Sequence, residues 1–373
     1  MSDNLRVYRA VRDALHQLYP TEPRGDFARH LTTLAMLITG IVQSQKSQLP
    51  ALARKIPDRA QPQSRIKRLT RWLKNDRVTP EAFFLPYARA LLFALSGPLC
   101  LVIDSSEVGD GCTAWMVSVL YKRRALPLCW AVKAVRKGHA SDEDHLALLR
   151  EVRAPLREVR ALLPADRRVV VLGDGEFDGV PVQQRLAEWG FEYVLRTTKN
   201  RLLSEEGSGF RFKDVALSPG ETFWAEGVRF TGEAYGPVLA LAVWPEGKGE
   251  AVYLVSNMEL PGEACHWYRK RFRIETFFSD QKGRGFRLHE SHLSGPERIA
   301  RLMIGTCLAY LWVVFLGVRA KREGWQAKLH RRSRCDWSLF RLGFALLDEL
   351  LNQCSEIPVH LSPPPSNLLK CVR

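Results

Sequence analysis

Leu99 to Asp104 reads LCLVID, and Arg167 to Asp174 reads RRVVVLGD. Each is a short apolar run that stops on an acid, the pattern of a buried strand that delivers a carboxylate at its end. Between them, Thr113–Val135 (TAWMVSVLYKRRALPLCWAVKAV) reads as two strands joined by a polar turn at Lys122 to Arg124. SDEDHLALLREVRAPLREVRALL, residues 141–163, carries acids in its first turn, where the helix dipole favours them, and predicts a helix. VPVQQRLAEWG, 180–190, predicts a short helix closed by Gly190, and FEYVLRTTKN, 191–200, a further strand. Three strands, helix, strand, helix, strand make an α/β fold, with a mixed sheet and helices on its faces.

Working outward, residues 1–95 read as helical. In SQLPALARKIPDRAQPQSRIKRLTRWLKN, 47–75, Ile66, Leu69 and Leu73 share one side of a helix while Lys67, Arg71 and Lys74 occupy the other. A helix packed by one face and offering cations on the opposite face suits DNA. Residues 201–262 are turn-rich and strand-like, including ETFWAEGVRF and PVLALAVWPEGKGEAVYLVSN, and read as a β-rich insertion. The expected organisation is a helical DNA-binding domain (1–95), a catalytic core in two parts (96–200 and 263–320) around that insertion, and a basic C-terminal region (321–373). The last includes a helix over Leu342–Cys354 and the segment SPPPS. LMIGTCLAYLWVVFLGV, 302–318, is at the short limit for a membrane span and is read as a buried core helix.

The 373 residues carry a net charge of +15, which favours a polyanionic partner, most simply nucleic acid. The 8 cysteines are scattered, without C-x-x-C pairs or metal-ligand spacing, so reduced thiols in a cytoplasmic protein are expected. The N-terminus reads as an amphipathic helix rather than a signal peptide.

YRKRFRIETFFSDQKGRG, beginning at Tyr268, sets one carboxylate, Glu275, among cations and aromatics. On a continuous helix Tyr268, Arg271, Glu275 and Lys282 fall within an arc of roughly 60°, with Trp267, Ile274 and Phe278 on the neighbouring core-facing stripe. Adjacent strand ends can bring Asp104 and Asp174 together, and a helix across them can add Glu275. Three carboxylates at close range repel unless hard cations neutralise them, and Mg²⁺ leaves positions open for water and phosphate oxygens. Two such ions, with Mn²⁺ as a substitute, suit phosphodiester cleavage or transfer. Tyr268, Arg271 and Lys282 then stand beside Glu275 to hold phosphates.

The spacing Tyr-x2-Arg-x3-Glu-x6-Lys resembles the signature of the insertion sequence 4 family of DDE transposases, at all four positions. LVIDSSEV resembles the family's first-Asp strand and VLGDGEFD its second. The resemblance covers most of the chain. It implies an RNase H-like core interrupted by a β-rich insertion, with Asp104, Asp174 and Glu275 as metal ligands and catalytic residues. It also implies cut-and-paste transposition: hydrolysis at the transposon's inverted-repeat ends, hairpin formation and reopening, then joining to target DNA. A homodimer on paired ends is the expected assembly. Hairpin chemistry needs a flipped base stacked on an aromatic, for which Trp244 is the candidate and Trp224 the rival.

Glu107, Asp110, Glu176 and Asp178 are read as turn or supporting acids, and His289 and His292 as structural or DNA-proximal. His139 could approach the metal site from the third strand's end. Two other functions share these features. An RNase H-like nuclease or resolvase would use the acids without needing the Tyr-Arg-Glu-Lys stripe, and an inactive DNA-binding descendant would not need the acids.

Overall fold

A computed structural model describes residues 2–19, 21–109, 111–135, 167–205, 207–331 and 335–361. The helix expected over 141–163, His139, Asp110 and the SPPPS segment lie outside the described residues. The chain opens with six helices: α1 (Asp3–His16), α2 (Gly25–Ser44), α3 (Leu49–Ala53), α4 (Pro62–Lys74), α5 (Pro80–Phe83) and α6 (Leu85–Ala94). Prolines in the first turn of α3 to α6 start these helices where a missing N–H costs nothing. On α4, Leu69, Trp72 and Leu73 are buried and Ile66 is half-buried, while Lys67, Arg71 and Lys74 are exposed on the other side.

The strands then begin. β1 (Leu99–Gly109), β2 (Cys112–Tyr121) and β3 (Arg124–Lys133) form an antiparallel meander. β4 (Val169–Gly173), helix α7 (Val180–Glu188) and β5 (Glu192–Thr197) follow, and β1, β4 and β5 lie parallel side by side. The five strands β6 (Leu202–Glu205), β7 (Ser208–Arg211), β8 (Thr222–Phe230), β9 (Tyr235–Val243) and β10 (Val252–Ser256) come from the strand-rich segment. Rather than folding away, they extend the same sheet, because β10 pairs antiparallel with β5. The result is one ten-stranded sheet in the order β3-β2-β1-β4-β5-β10-β9-β8-β6-β7. This large mixed sheet with flanking helices, behind a helical N-terminal region, fits the RNase H-like class expected from the sequence.

Further helices complete the described chain: α8 (Pro261–Tyr268), α9 (Arg273–Gln281), α10 (Pro296–Arg322), then α11 (Trp325–Leu329) with α12 (Leu339–Asn352) behind it. α10 is long and apolar enough to cross a membrane, and every residue from Leu302 to Val318 is buried inside the molecule. It is the central post of the helical layer. α12 crosses it so closely that a Cβ on Gly343 would lie 1.9 Å from the Val313 carbonyl oxygen, and one on Gly317 1.9 Å from that of Leu339. The N-terminal helices use the same post: Leu37 and Ile41 of α2 pack against Gly305. Arg301 donates to the carbonyls of Leu73 and Val78 and pairs with Asp76 at 2.7 Å.

Two local expectations are corrected. Asp104 does not end its strand. β1 runs on to Gly109 because β2 continues to pair with it, whereas β4 stops opposite Ile103, at Gly173. The acid therefore sits where a neighbouring strand ends, not its own. The Tyr268–Lys282 segment is also not one helix. α8 stops at Tyr268, α9 starts at Arg273, and tight turns closing Arg271 N–H on Tyr268 O and Arg273 N–H on Lys270 O join them. Lys282 is the C-terminal cap of α9, outside helical geometry, so the four residues do not form a single stripe.

Candidate active site

Sheet register builds the site. Leu101 and Val102 pair with Val171 and Leu172, so the first residue beyond β4, Asp174, follows directly on the Ile103–Gly173 pair beside Asp104. Asp104 is buried, with its Oδ1 accepting from the Ser105 N–H at 2.8 Å. Asp174 opens a turn in which its Oδ1 accepts from the Glu176 N–H at 3.1 Å and its carbonyl from Phe177 N–H.

α9 brings the third acid. Ile274, Phe277, Phe278 and Gln281 bury one side of it, and Phe277 meets Tyr310 of α10 edge-on at 5.0 Å. Glu275, in the first turn, is left on the open side with 59% of its side chain exposed. α8 is fixed separately: Arg168, just before β4, pairs with Glu192 at 2.6 Å and with Glu263 at 2.7 Å.

Between these pieces lies Arg271. Its Nη1 donates to Asp104 Oδ2 at 3.0 Å and its Nη2 to Glu275 Oε1 at 2.7 Å. Burial pulls its pKa down, yet Tyr268, Asp104, Glu275 and Asp174 together hold it above the ordinary arginine value. Burial also pushes the Tyr268 phenol up, with Asp174 adding to the rise and Arg271 and Arg196 opposing it, so the phenol stays a hydrogen-bond donor at neutral pH. Asp104, Asp174, Glu275 and Tyr268 thus share the field of one guanidinium, that of Arg271. Lys282 stands at the far end of α9, half-buried.

Two of the neighbouring acids, Glu176 and Asp178, are otherwise engaged. Glu176 accepts from the Ser105 hydroxyl and from the Trp115 indole at 3.3 Å, tying the Asp174 turn to β1 and β2. Buried Asp178 takes the Thr197 hydroxyl at 2.6 Å and a forked pair of bonds from Arg201. Glu107 alternates to the opposite face of β1 from Asp104 and is exposed. His289 pairs with Glu290 at 3.5 Å and His292 faces Gln48 at 3.4 Å.

A cavity of about 990 Å³ opens beside Asp174. Trp244 forms part of its wall, its indole N–H held on the Lys248 carbonyl at 2.8 Å. Arg196, Lys199 and Arg201 line it as well, and sequence reading passed over all three. The signal in the sequence was a predicted strand running into the cation-rich RTTKNR; the structure adds that β5 is parallel to β4 and level with it, Leu195 opposite Gly173, so those cations emerge beside the second acid. Trp224, half exposed at 52%, lines a different cleft with Cys265 and Arg269.

Among the described residues no group of three His, Cys, Asp or Glu side chains lies close enough to hold a metal ion. The donor chemistry nonetheless fits a hard cation. Two carboxylates already grip a single positive group, the guanidinium, which stands in for such an ion, and a third acid contributes to its field.

Comparison with curated proteins gives no match. The family model described as transposase DDE domain matches residues 119–312, more than half of the chain, with Asp174 and Glu275 inside the match and Asp104 just ahead of it. The chain belongs to the transposase DDE domain family.

Proposed function

We propose that this chain is a cut-and-paste DNA transposase of the insertion sequence 4 type, with Asp104, Asp174 and Glu275 as its catalytic carboxylates. The observation that carries the reading is the convergence of Asp104 and Glu275 on Arg271, next to Asp174, in a DDE-family chain. DDE transposases act on DNA with divalent metal ions, and Mg²⁺, or Mn²⁺ in its place, suits three oxygen-donor acids. When bound, a pair of such ions would lower the pKa of an attacking water and offset charge on the leaving oxygen.

The chain's own residues do the rest. Asp104 and Asp174 each have Oδ1 held by a backbone amide, that of Ser105 and that of Glu176, which fixes the two carboxylates at neighbouring positions on the sheet. Arg271 offers a fork suited to phosphate oxygens, Tyr268 a protonated phenol, and Lys282 a point charge. Trp244 supplies an aromatic face in the cavity beside Asp174, large enough for an extruded nucleotide, which favours it over Trp224 as the stacking platform for a hairpin-forming end. Lys67, Arg71 and Lys74 present three exposed cations for duplex binding. A homodimer on paired inverted-repeat ends completes the proposal.

The test uses a duplex bearing the inverted repeats that flank the gene. Asp104→Asn, Asp174→Asn and Glu275→Gln should each lose Mg²⁺-dependent cleavage by about 100-fold or more while retaining end binding. Trp244→Ala should accumulate nicked ends at the expense of hairpins. Normal cutting by all three acid variants would remove the active-site assignment, and unchanged product ratios in Trp244→Ala would remove the stacking role.

A further inference from the structure

We infer that Arg271 makes divalent-cation binding conditional on DNA phosphate, so that the acids are assembled for chemistry only in the nucleoprotein complex. This rests on the three-acid reading of the site.

In the free chain the guanidinium is the cation of the site. It spans Asp104 at 3.0 Å and Glu275 at 2.7 Å, with only 14% of its side chain exposed. Asp104 is buried deeper still, at 6% side-chain exposure. A buried carboxylate stripped of its partner is strongly disfavoured, so Arg271 leaves Asp104 only as another cation arrives. The same logic holds for the guanidinium, which needs a new anion. Phosphate is the natural one, since it accepts the same forked pair of bonds as carboxylate. Arg271 sits on the link of tight turns between α8 and α9, beside the Tyr268 ring, 6.0 Å from its centroid. A change in that link's turns can redirect the side chain without unwinding either helix. That no three acids among the described residues lie within metal-holding range agrees with a guanidinium in their midst.

Cation and phosphate therefore enter as a pair. Each makes room for the other, and linkage requires the two affinities to rise by one common factor. The arrangement keeps the free protein from loading ions and cutting indiscriminately.

Mn²⁺ binding, followed by the loss of the free-ion paramagnetic resonance signal, reads this directly without any cleavage. The protein is titrated alone and with a pre-cut duplex ending at the element's terminus, and the Asp104→Asn/Glu275→Gln double variant with the same duplex gives the baseline. Wild type should bind Mn²⁺ about 10-fold or more tightly with DNA than without. Arg271→Gln should bind it tightly without DNA, with little further gain on adding the duplex. Arg271→Lys, which keeps the charge but cannot fork between two carboxylates, should move in the same direction and covers the case of a misfolded Gln variant. If wild type gains an acid-dependent Mn²⁺ site on DNA while neither Arg271 variant gains one without it, the gating role falls and the three-acid site stands. If the double variant gains the same DNA-stimulated site as wild type, the three-acid reading falls with it.

Discussion

Among the described residues Asp280 carries the plainest pH signature of the carboxyl groups. It lies at the buried end of α9 and pairs with Arg124 of β3 at 2.7 Å. Burial nevertheless outweighs Arg124 and Arg284 and pushes its carboxyl up to about 6 from 3.8. Well below 3.8 the carboxyl is protonated in both folded and unfolded chains. As pH rises towards 6 the unfolded chain has lost its proton while the folded chain keeps it, so stability falls across this window and levels off above it. Asp280→Asn should remove that slope. The stability of wild type minus variant, measured by urea unfolding, should decline by up to about 3 kcal/mol between pH 4 and pH 7. A constant difference would mean that Arg124 holds the carboxylate ionised throughout. At this scale the acids of the candidate site were legible, because a short apolar run that meets a carboxylate, as at Asp104 and Asp174, marks a buried strand reaching a polar site. Arg271's seat between Asp104 and Glu275 was not. It depends on how deeply Asp104 is buried, which only the packed sheet determines.

At the level of elements, α10 and α12 meet through glycines. Alanine in a helix normally gains up to about 1 kcal/mol over glycine. Gly343→Ala should do the reverse and cost about 1–3 kcal/mol or more in thermal unfolding, since its methyl would collide with the Val313 carbonyl, a backbone atom with little freedom to move. A raised melting temperature would mean that the helices part at little cost. α4 makes a prediction of the opposite kind. Lys67, Arg71 and Lys74 are exposed and hold up no core, so Ala at each should leave stability within about 0.5 kcal/mol. Each should lower the salt dependence of end binding by about one unit of slope if it meets a phosphate. Unchanged slopes for all three would leave α4 as a solvated face. α4's two faces could be read from spacing alone. The break between α8 and α9 could not, because the Arg269–Phe272 side chains are compatible with helix and the apolar positions after them fit the same period. Tertiary anchors on either side, Arg168 on Glu263 and Arg273 on the Lys122 carbonyl, separate the two helices.

Taken whole, the molecule has one buried core that runs from the N-terminal helices through α10 into the sheet. Strand identity was visible residue by residue, but register is a property of partners, and the joining of β10 to β5 left no mark in either segment. The shared core bears on truncation. A fragment beginning at residue 96 would expose the side of α10 that α2 covers and leave Arg301 without Leu73, Val78 and Asp76. It should lack a cooperative melt in circular dichroism. A sharp transition like that of the full chain would show that the first 95 residues fold apart from the rest.

The union of β10 with β5 has a mechanical meaning. Trp244 and Asp174 line one cavity, and the strands that carry its walls, from β4 through β5 and β10 to β9, are stitched into one hydrogen-bonded fabric. Such a cavity keeps its width under load. On the proposed reading, a transposon end that enters must bend to suit it, so the work of distortion would fall on the nucleic acid and the protein would act as the anvil.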